Sequence, residues 1–204
     1  MIRIIKGVAL AAAAATALGA CSLLSTPDPV QLYRFGDPAV TRADAPVSQP
    51  VAIALRRVEF PEAVRDDRIL GVTGAETAYI AGARWVSDAA TLYTDSVEQA
   101  FETQGQRVRL LGRREGGMRG RALDLDVRTF EARYAAPGAA PAATIVVRAR
   151  LIDPDNRAVA AERTFSITQP ATENRITAIV AAFDVAVRDV NTQLVAWTEA
   201  NAGS

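Results

Sequence analysis

From Val51 onward, hydrophobic and polar positions divide the chain into short strands and two amphipathic helices. Val51, Ile53 and Leu55 alternate with Ala52, Ala54 and Arg56, which predicts a strand ended by Phe60-Pro61-Glu62. Ile69–Thr73 and Thr77–Ala81 are apolar pieces around Gly74-Ala75-Glu76, a hairpin pattern. Ser87 or Asp88 is placed to cap a helix. Ala90, Tyr93, Val97, Ala100, Phe101 and Gln104 then follow helical spacing up to a stop at Gly105. Val108 and Leu110 open a further strand.

The second half of the chain alternates more strongly. Leu123, Leu125 and Val127 share one side against Asp124, Asp126 and Arg128. After Thr129 the phase flips, and Phe130, Ala132 and Tyr134 become the apolar set, as a β-bulge would produce. Ala135–Ala143 is a loop of small residues with Pro137, Gly138 and Pro141. Ile145, Val147, Ala149 and Leu151 run into the turn Asp153-Pro154-Asp155-Asn156, where Pro presets φ and Asn tolerates the left-handed region. Val159, Ala161, Phe165 and Ile167 return. Ile176, Val180, Phe183, Val187, Val190, Leu194 and Trp197 then recur every three or four residues, widened by Ile179 and Ala186. Thr172 is the expected N-cap, and Glu173 favours the positive helix end. Such a helix runs about 26 residues, near 39 Å. Glu173, Arg175, Asp184, Arg188 and Asn191 fall off the stripe. The stripe either covers a sheet face or forms a coiled-coil seam with a partner.

The N-terminal stretch reads differently. Arg3 and Lys6 precede an unbroken run of small and apolar residues, Val8–Leu18, and then comes Leu18-Gly19-Ala20-Cys21. That is the n-region, h-region and small-residue cut site of a secretory signal. The run is about half the ~20 residues that span a bilayer. A cysteine directly after the small residues makes Leu18, Gly19 and Ala20 a lipobox and Cys21 the lipidated residue. An ordinary signal with a chance cysteine is the alternative. Two or three acyl chains, at about 0.8 kcal/mol per buried methylene, anchor firmly where one does not. Residues 21–50 hold five of the ten prolines and read as a tether, at most roughly 100 Å long when extended. Within it, Leu32, Tyr33 and Phe35 form either a docked edge strand or a loose aromatic patch. The expected organisation is signal 1–20, lipidated tether 21–50 and one domain 51–204. Ser22 is not aspartate, which in enteric bacteria favours the outer membrane, with the inner membrane as the alternative.

Composition narrows the chemistry. Loss of Arg3 and Lys6 leaves 21 basic against 23 acidic residues, a net of −2, which argues against nucleic acid as a partner. There is no histidine, and Cys21 is the only cysteine. The commonest general base, a free thiolate and the best zinc ligands are therefore missing. No G-x-S-x-G occurs, so a serine hydrolase is disfavoured. No catalytic residue, metal or cofactor is expected. Asp124 and Asp126 share a face and are either a cation pair or the wet side of a sheet. The Gly112–Gly120 loop, rich in arginine and glycine, is either a basic contact for lipid headgroups or a solvated connection.

The order signal, lipid, tether, strand, hairpin, helix, meander and long helix resembles the ABC-type transport auxiliary lipoproteins, the PqiC-like family associated with MCE-type lipid transport. The likeness is carried by Leu18-Gly19-Ala20-Cys21, Tyr33-Arg34-Phe35, Val51–Leu55 with Phe60-Pro61, Tyr79-Ile80-Ala81 with Arg84-Trp85, Phe165, and Ala182-Phe183 to Leu194 and Trp197. Val86-Ser87-Asp88 after Trp85 departs from the pattern. The resemblance implies an α/β (α+β) domain, a small mixed or antiparallel sheet packed by two helices, the longer one C-terminal. It also implies an accessory role in moving lipids or other hydrophobic compounds across the periplasm. Its implied partners are an MCE-domain protein and an ABC permease with its ATPase, with phospholipid as a further candidate. Trp85 and Trp197 are candidates for partner or lipid contact, packing being the alternative for Trp85. A structural lipoprotein that forms a homo-oligomer around a partner is the competing reading.

Overall fold

The alternating segments all become strands of one sheet, and the two amphipathic stripes become the helices that cover it. A computed structural model describes residues 29–36, 50–111 and 120–203. In chain order the elements are β1 (Gln31–Tyr33), β2 (Val51–Glu59), α1 (Glu62–Arg65), β3 (Arg68–Thr73), β4 (Glu76–Trp85) and α2 (Ala89–Gln104). They continue as β5 (Val108–Leu111), β6 (Ala122–Tyr134), β7 (Ala142–Ile152), β8 (Val159–Pro170) and α3 (Ile176–Asn201). The class is α/β with a mixed sheet, and the longest helix is C-terminal, as expected. The short α1 was not foreseen.

β6 is the hub of the eight-stranded sheet. One of its edges pairs antiparallel with β7, which pairs antiparallel with β8. Its other edge is shared end to end. β2 lies parallel along Ala122–Asp126, and β3 lies parallel along Ala132–Tyr134. Beyond β2 lies β5, and beyond β3 lie β4 and then β1. The bulge expected after Thr129 is a register shift between Val127 and Thr129. Its consequence is specific. Asp124, Asp126 and Arg128 would share a side with Phe130 in a regular strand, and the shift turns Phe130 to the helix side instead.

That side is the core. Phe130 lies 5.2 Å from Phe35, 5.7 Å from Phe60 and 5.0 Å from Phe183, centroid to centroid. Trp85 stands edge-on to Phe35 at 4.9 Å and to Phe183 at 5.4 Å. Ile145, Val147, Ala149 and Leu151 of β7 supply the aliphatic floor under α3, all fully buried. Each such aliphatic side chain contributes roughly 1.5–3 kcal/mol by leaving water. The long helix therefore covers a sheet face; it is not a free seam. Its C-terminal turn also clamps the α2–β5 junction, where Gln106 and Arg107 donate backbone N–H groups to Glu199 Oε1 at 2.5 and 2.8 Å.

Three local expectations need correction. Helix α3 starts at Ile176 with Arg175 at the cap position and no side-chain cap. Thr172 does not cap it, because 171–174 is pinned elsewhere. Ala171 N–H donates to Pro141 at 2.8 Å and Asn174 Nδ2 to Gly138 at 3.3 Å. In the β7–β8 turn, the left-handed residue is Arg157 (φ 58°) rather than Asn156. Asp153 shapes that turn by accepting the Asp155 N–H at 2.9 Å. Finally, Asn191 is buried on the stripe, at 3% exposure, and not off it.

The docked reading of 31–35 holds. β1 pairs parallel with Ala83–Trp85 of β4, and Phe35 is 2% exposed. Leu32, expected to dock with it, points out at 61% exposure. Gly36 follows in the left-handed region (φ +71°), where an added Cβ would stand 2.7 Å from the Ser96 Cβ. Only glycine fits that close approach. Its N–H donates to Asp184 Oδ1 on α3 at 3.0 Å. Residues 31–204 form one compact unit.

Candidate functional site

Cys21 and the lipobox residues Leu18, Gly19 and Ala20 lie outside the described residues, as does most of the arginine-rich loop. Both tryptophans are described, and both are interior. Trp85 is 1% exposed, at the end of β4 and not at the start of a helix. Trp197 is 8% exposed and stands edge-on to Phe165 at 6.0 Å. A partner reaching either ring would have to displace the chain's own side chains. The candidate surfaces are therefore the sheet face away from the helices, the crevice between the two long helices, and the β1 edge.

The outer sheet face is a lattice of charges set by strand register. Across β2, β6, β7 and β8 runs the row Arg57, Asp124, Arg150, Glu162, alternating in sign. The next row is Glu59, Asp126, Arg148, Thr164. Asp124 is neither a cation ligand nor the wet side of the sheet. It is 3% exposed and receives Arg56 through Nε at 2.9 Å and through a second bond from Nη2. This pairing raises the Arg56 pKa, through the hydrogen bond first and the charge second. Asp126 takes Arg128 Nε at 3.3 Å. Arg148 reaches diagonally to Glu162 at 2.5 Å, and that hydrogen bond holds Glu162 below its ordinary value. The Arg150 Nε, flanked by two acidic strands, is buried without a hydrogen-bond partner. Among the described residues no group of three or more acidic, Cys or His side chains is placed to hold a metal.

The crevice between α2 and α3 has a volume of about 270 Å³ and is lined by Gly36, Ser96, Gln99, Asp184, Arg188 and Asn191, among others. Asn191 Nδ2 donates to Ser96 Oγ at 3.0 Å, and Ser96 donates to the Tyr93 carbonyl at 2.8 Å. The serine therefore has no base beside it, and its proton is committed to the backbone. Burial pushes the Tyr93 phenol well above its ordinary pKa, so it stays neutral. Asp184 is engaged by Arg188 and by the Gly36 N–H. This arrangement joins two helices to the end of β1 and supplies no nucleophile. A signal for the buried pair was present in the sequence. Asn191 stands four residues after Val187 and three before Leu194, and Ser96 stands three after Tyr93 and four before Ala100. Both therefore fall at stripe positions.

The fold has relatives. The family model for the ABC-type transport auxiliary lipoprotein component matches residues 33–195. The crystal structure of protein XCC0632 from Xanthomonas campestris, of family DUF330, is 28% identical with a TM-score of 0.66, over 85% of this chain and 94% of that one. A crystal structure of an uncharacterized protein has a TM-score of 0.64 at 12% identity, covering 83% of this chain and 98% of that one, a likeness of fold alone. No curated protein matches the chain. The family match runs from Tyr33, the last residue of β1, to Val195 in α3, so it takes in all the elements between them. This chain belongs to the ABC-type transport auxiliary lipoprotein family.

Proposed function

We propose that the chain is a lipid-anchored adaptor of an MCE-type ABC transport system, serving the movement of lipids or other hydrophobic compounds across the periplasm. Cys21 carries the acyl anchor, and the outer membrane is the membrane it enters. No described helix is long and apolar enough to cross a membrane, so attachment falls to the lipid. The domain performs no chemistry of its own. One observation carries the adaptor reading. The space between sheet and helices is filled by Phe35, Trp85, Phe130 and Phe183 in mutual ring contact. An acyl chain has no berth there unless those rings leave, so the cargo travels in the partners and this chain docks them. The alternating charges of the outer sheet face suit recognition, since charge patterns fix orientation and exclude wrong partners.

The test is co-purification of the acylated chain from detergent-extracted envelopes. The permease, its ATPase and an MCE-domain protein are expected in the eluate, with less than one phospholipid per chain retained by the domain alone. Stoichiometric phospholipid bound to the isolated domain, without any transporter subunit, would overturn the adaptor reading. Self-assembly into a ring that recovers none of these subunits would favour the structural alternative.

A further inference from the structure

The docked β1 strand changes the mechanical meaning of the tether. If the whole of 21–50 were free, the domain would roam over roughly 100 Å. Yet Gln31–Tyr33 is held in the sheet by β4, and Phe35 is locked into the aromatic core. Only residues 22–30 separate the acylation position from the first strand. Ten peptide steps reach at most about 36 Å. A compact unit of residues 31–204 has a radius near 20 Å, from a radius of gyration of about 16 Å. The leash is therefore shorter than the domain is wide. It holds the β1 end of the domain within about 36 Å of the acylated residue.

That edge has the chemistry of an interfacial contact. Among the described residues β1 ends the sheet and pairs with β4 alone. Leu32 is 61% exposed, at register with Arg84. Val86, two residues beyond Arg84, is 44% exposed, and its N–H donates to the Tyr33 carbonyl at 2.7 Å. Arg34 is exposed beside them. Single exposed apolar residues are ordinary on a soluble surface. Here two of them flank one short edge strand next to a cation, at the point where the leash arrives. Apolar side chains enter the acyl boundary while arginine stays with phosphates.

We infer that the β1 edge, with Leu32 and Val86 as its apolar contacts and Arg34 at the headgroups, seats on the bilayer that holds the acyl anchor. The outer sheet face and β8, five strands away and so roughly 24 Å across the sheet, are left for protein partners. This inference rests on the acylation of Cys21 in the proposed function.

The test uses the full acylated chain in phosphatidylethanolamine–phosphatidylglycerol vesicles doped with a spin-labelled lipid. Because Cys21 is the only cysteine and its thiol is consumed, a fluorophore on L32C, or separately on V86C, labels one site. V159C in the β7–β8 hairpin serves as the distant reference. Quenching at 32 and at 86 is expected to exceed that at 159 by at least threefold. A 20-residue Gly/Ser insertion between Cys21 and Gln31 is expected to reduce it by half or more. Equal quenching at 32, 86 and 159 in a chain that floats with the vesicles overturns the seat. Unchanged quenching after the insertion overturns the role of the leash. A chain that fails to float and labels at a second thiol shows instead that the anchor reading has failed.

Discussion

The two sides of β6 obey different rules. Toward the helices, Leu123, Leu125, Val127 and Phe130 are at most 2% exposed and belong to the hydrophobic core cluster. Away from the helices, Asp126, Arg128 and their partners Arg148 and Glu162 keep one foot in water. The first side cannot change without reopening the interior. The second can be rewritten at small cost to folding, which is the property a docking surface needs. Asp124 is the exception that links them. It sits on the charged side yet is as buried as the core, because Arg56 crosses its strand boundary to cover it.

Substitutions that break this comparison rank by size. Trp85→Ala empties the junction of Phe35 and Phe183 and is expected to cost about 3–5 kcal/mol in urea unfolding. A cost under about 1 kcal/mol would mean that the aromatic cluster is not the interior described here. Gly36→Ala places a Cβ against Ser96 in a left-handed backbone and is expected to cost roughly 2 kcal/mol. Because that glycine ends the docked β1 segment, a neutral result would detach β1 from the domain.

The charged side gives smaller effects. Asp124→Ala leaves a partly exposed Arg56 without its carboxylate and is expected to cost about 1–2 kcal/mol, less than breaking a fully buried pair. The double replacement Arg56→Leu with Asp124→Leu should recover most of that loss, as a double-mutant cycle would read. The Arg148–Glu162 pair is solvated and screened, so Arg148→Ala should leave the urea midpoint nearly unchanged. Its signature is in pH. Arg148 holds Glu162 below its ordinary 4.5, so the folded chain binds that proton less tightly than the unfolded chain. The contribution is present above pH 4.5 and fades as pH falls through the lowered folded value. Carboxyl NMR titration should show Glu162 returning toward 4.5 in the Arg148 variant.

Much of this was written in local sequence pattern. The alternation of 123–134 carried both the strand and its bulge, since a phase flip at Thr129 has few other causes. The stripe of 176–197 placed α3 on the sheet, and Gly105 stopped α2. The misses share a cause, namely contacts between distant positions. Asp124 reads as solvent-facing until Arg56, 68 residues earlier, is seen to reach it. Thr172 has good cap chemistry, but the 135–141 loop holds its neighbours, Ala171 by the backbone N–H and Asn174 by the side-chain amide. For Trp85 the sequence leaves packing and contact both open; packing is what the structure shows, through Phe35 and Phe183, which are distant in sequence. The proposed lipobox is a different case: it is read from four consecutive residues, Leu18-Gly19-Ala20-Cys21, which lie outside the described residues.

The proposed function requires that an acylated Cys21 fix the packed domain to a membrane. Mass spectrometry of the N-terminal peptide from the native envelope protein tests this most directly. The expected product begins at Cys21 and carries a thioether-linked diacylglycerol. A free thiol on Cys21, with cleavage at some other bond, would contradict it.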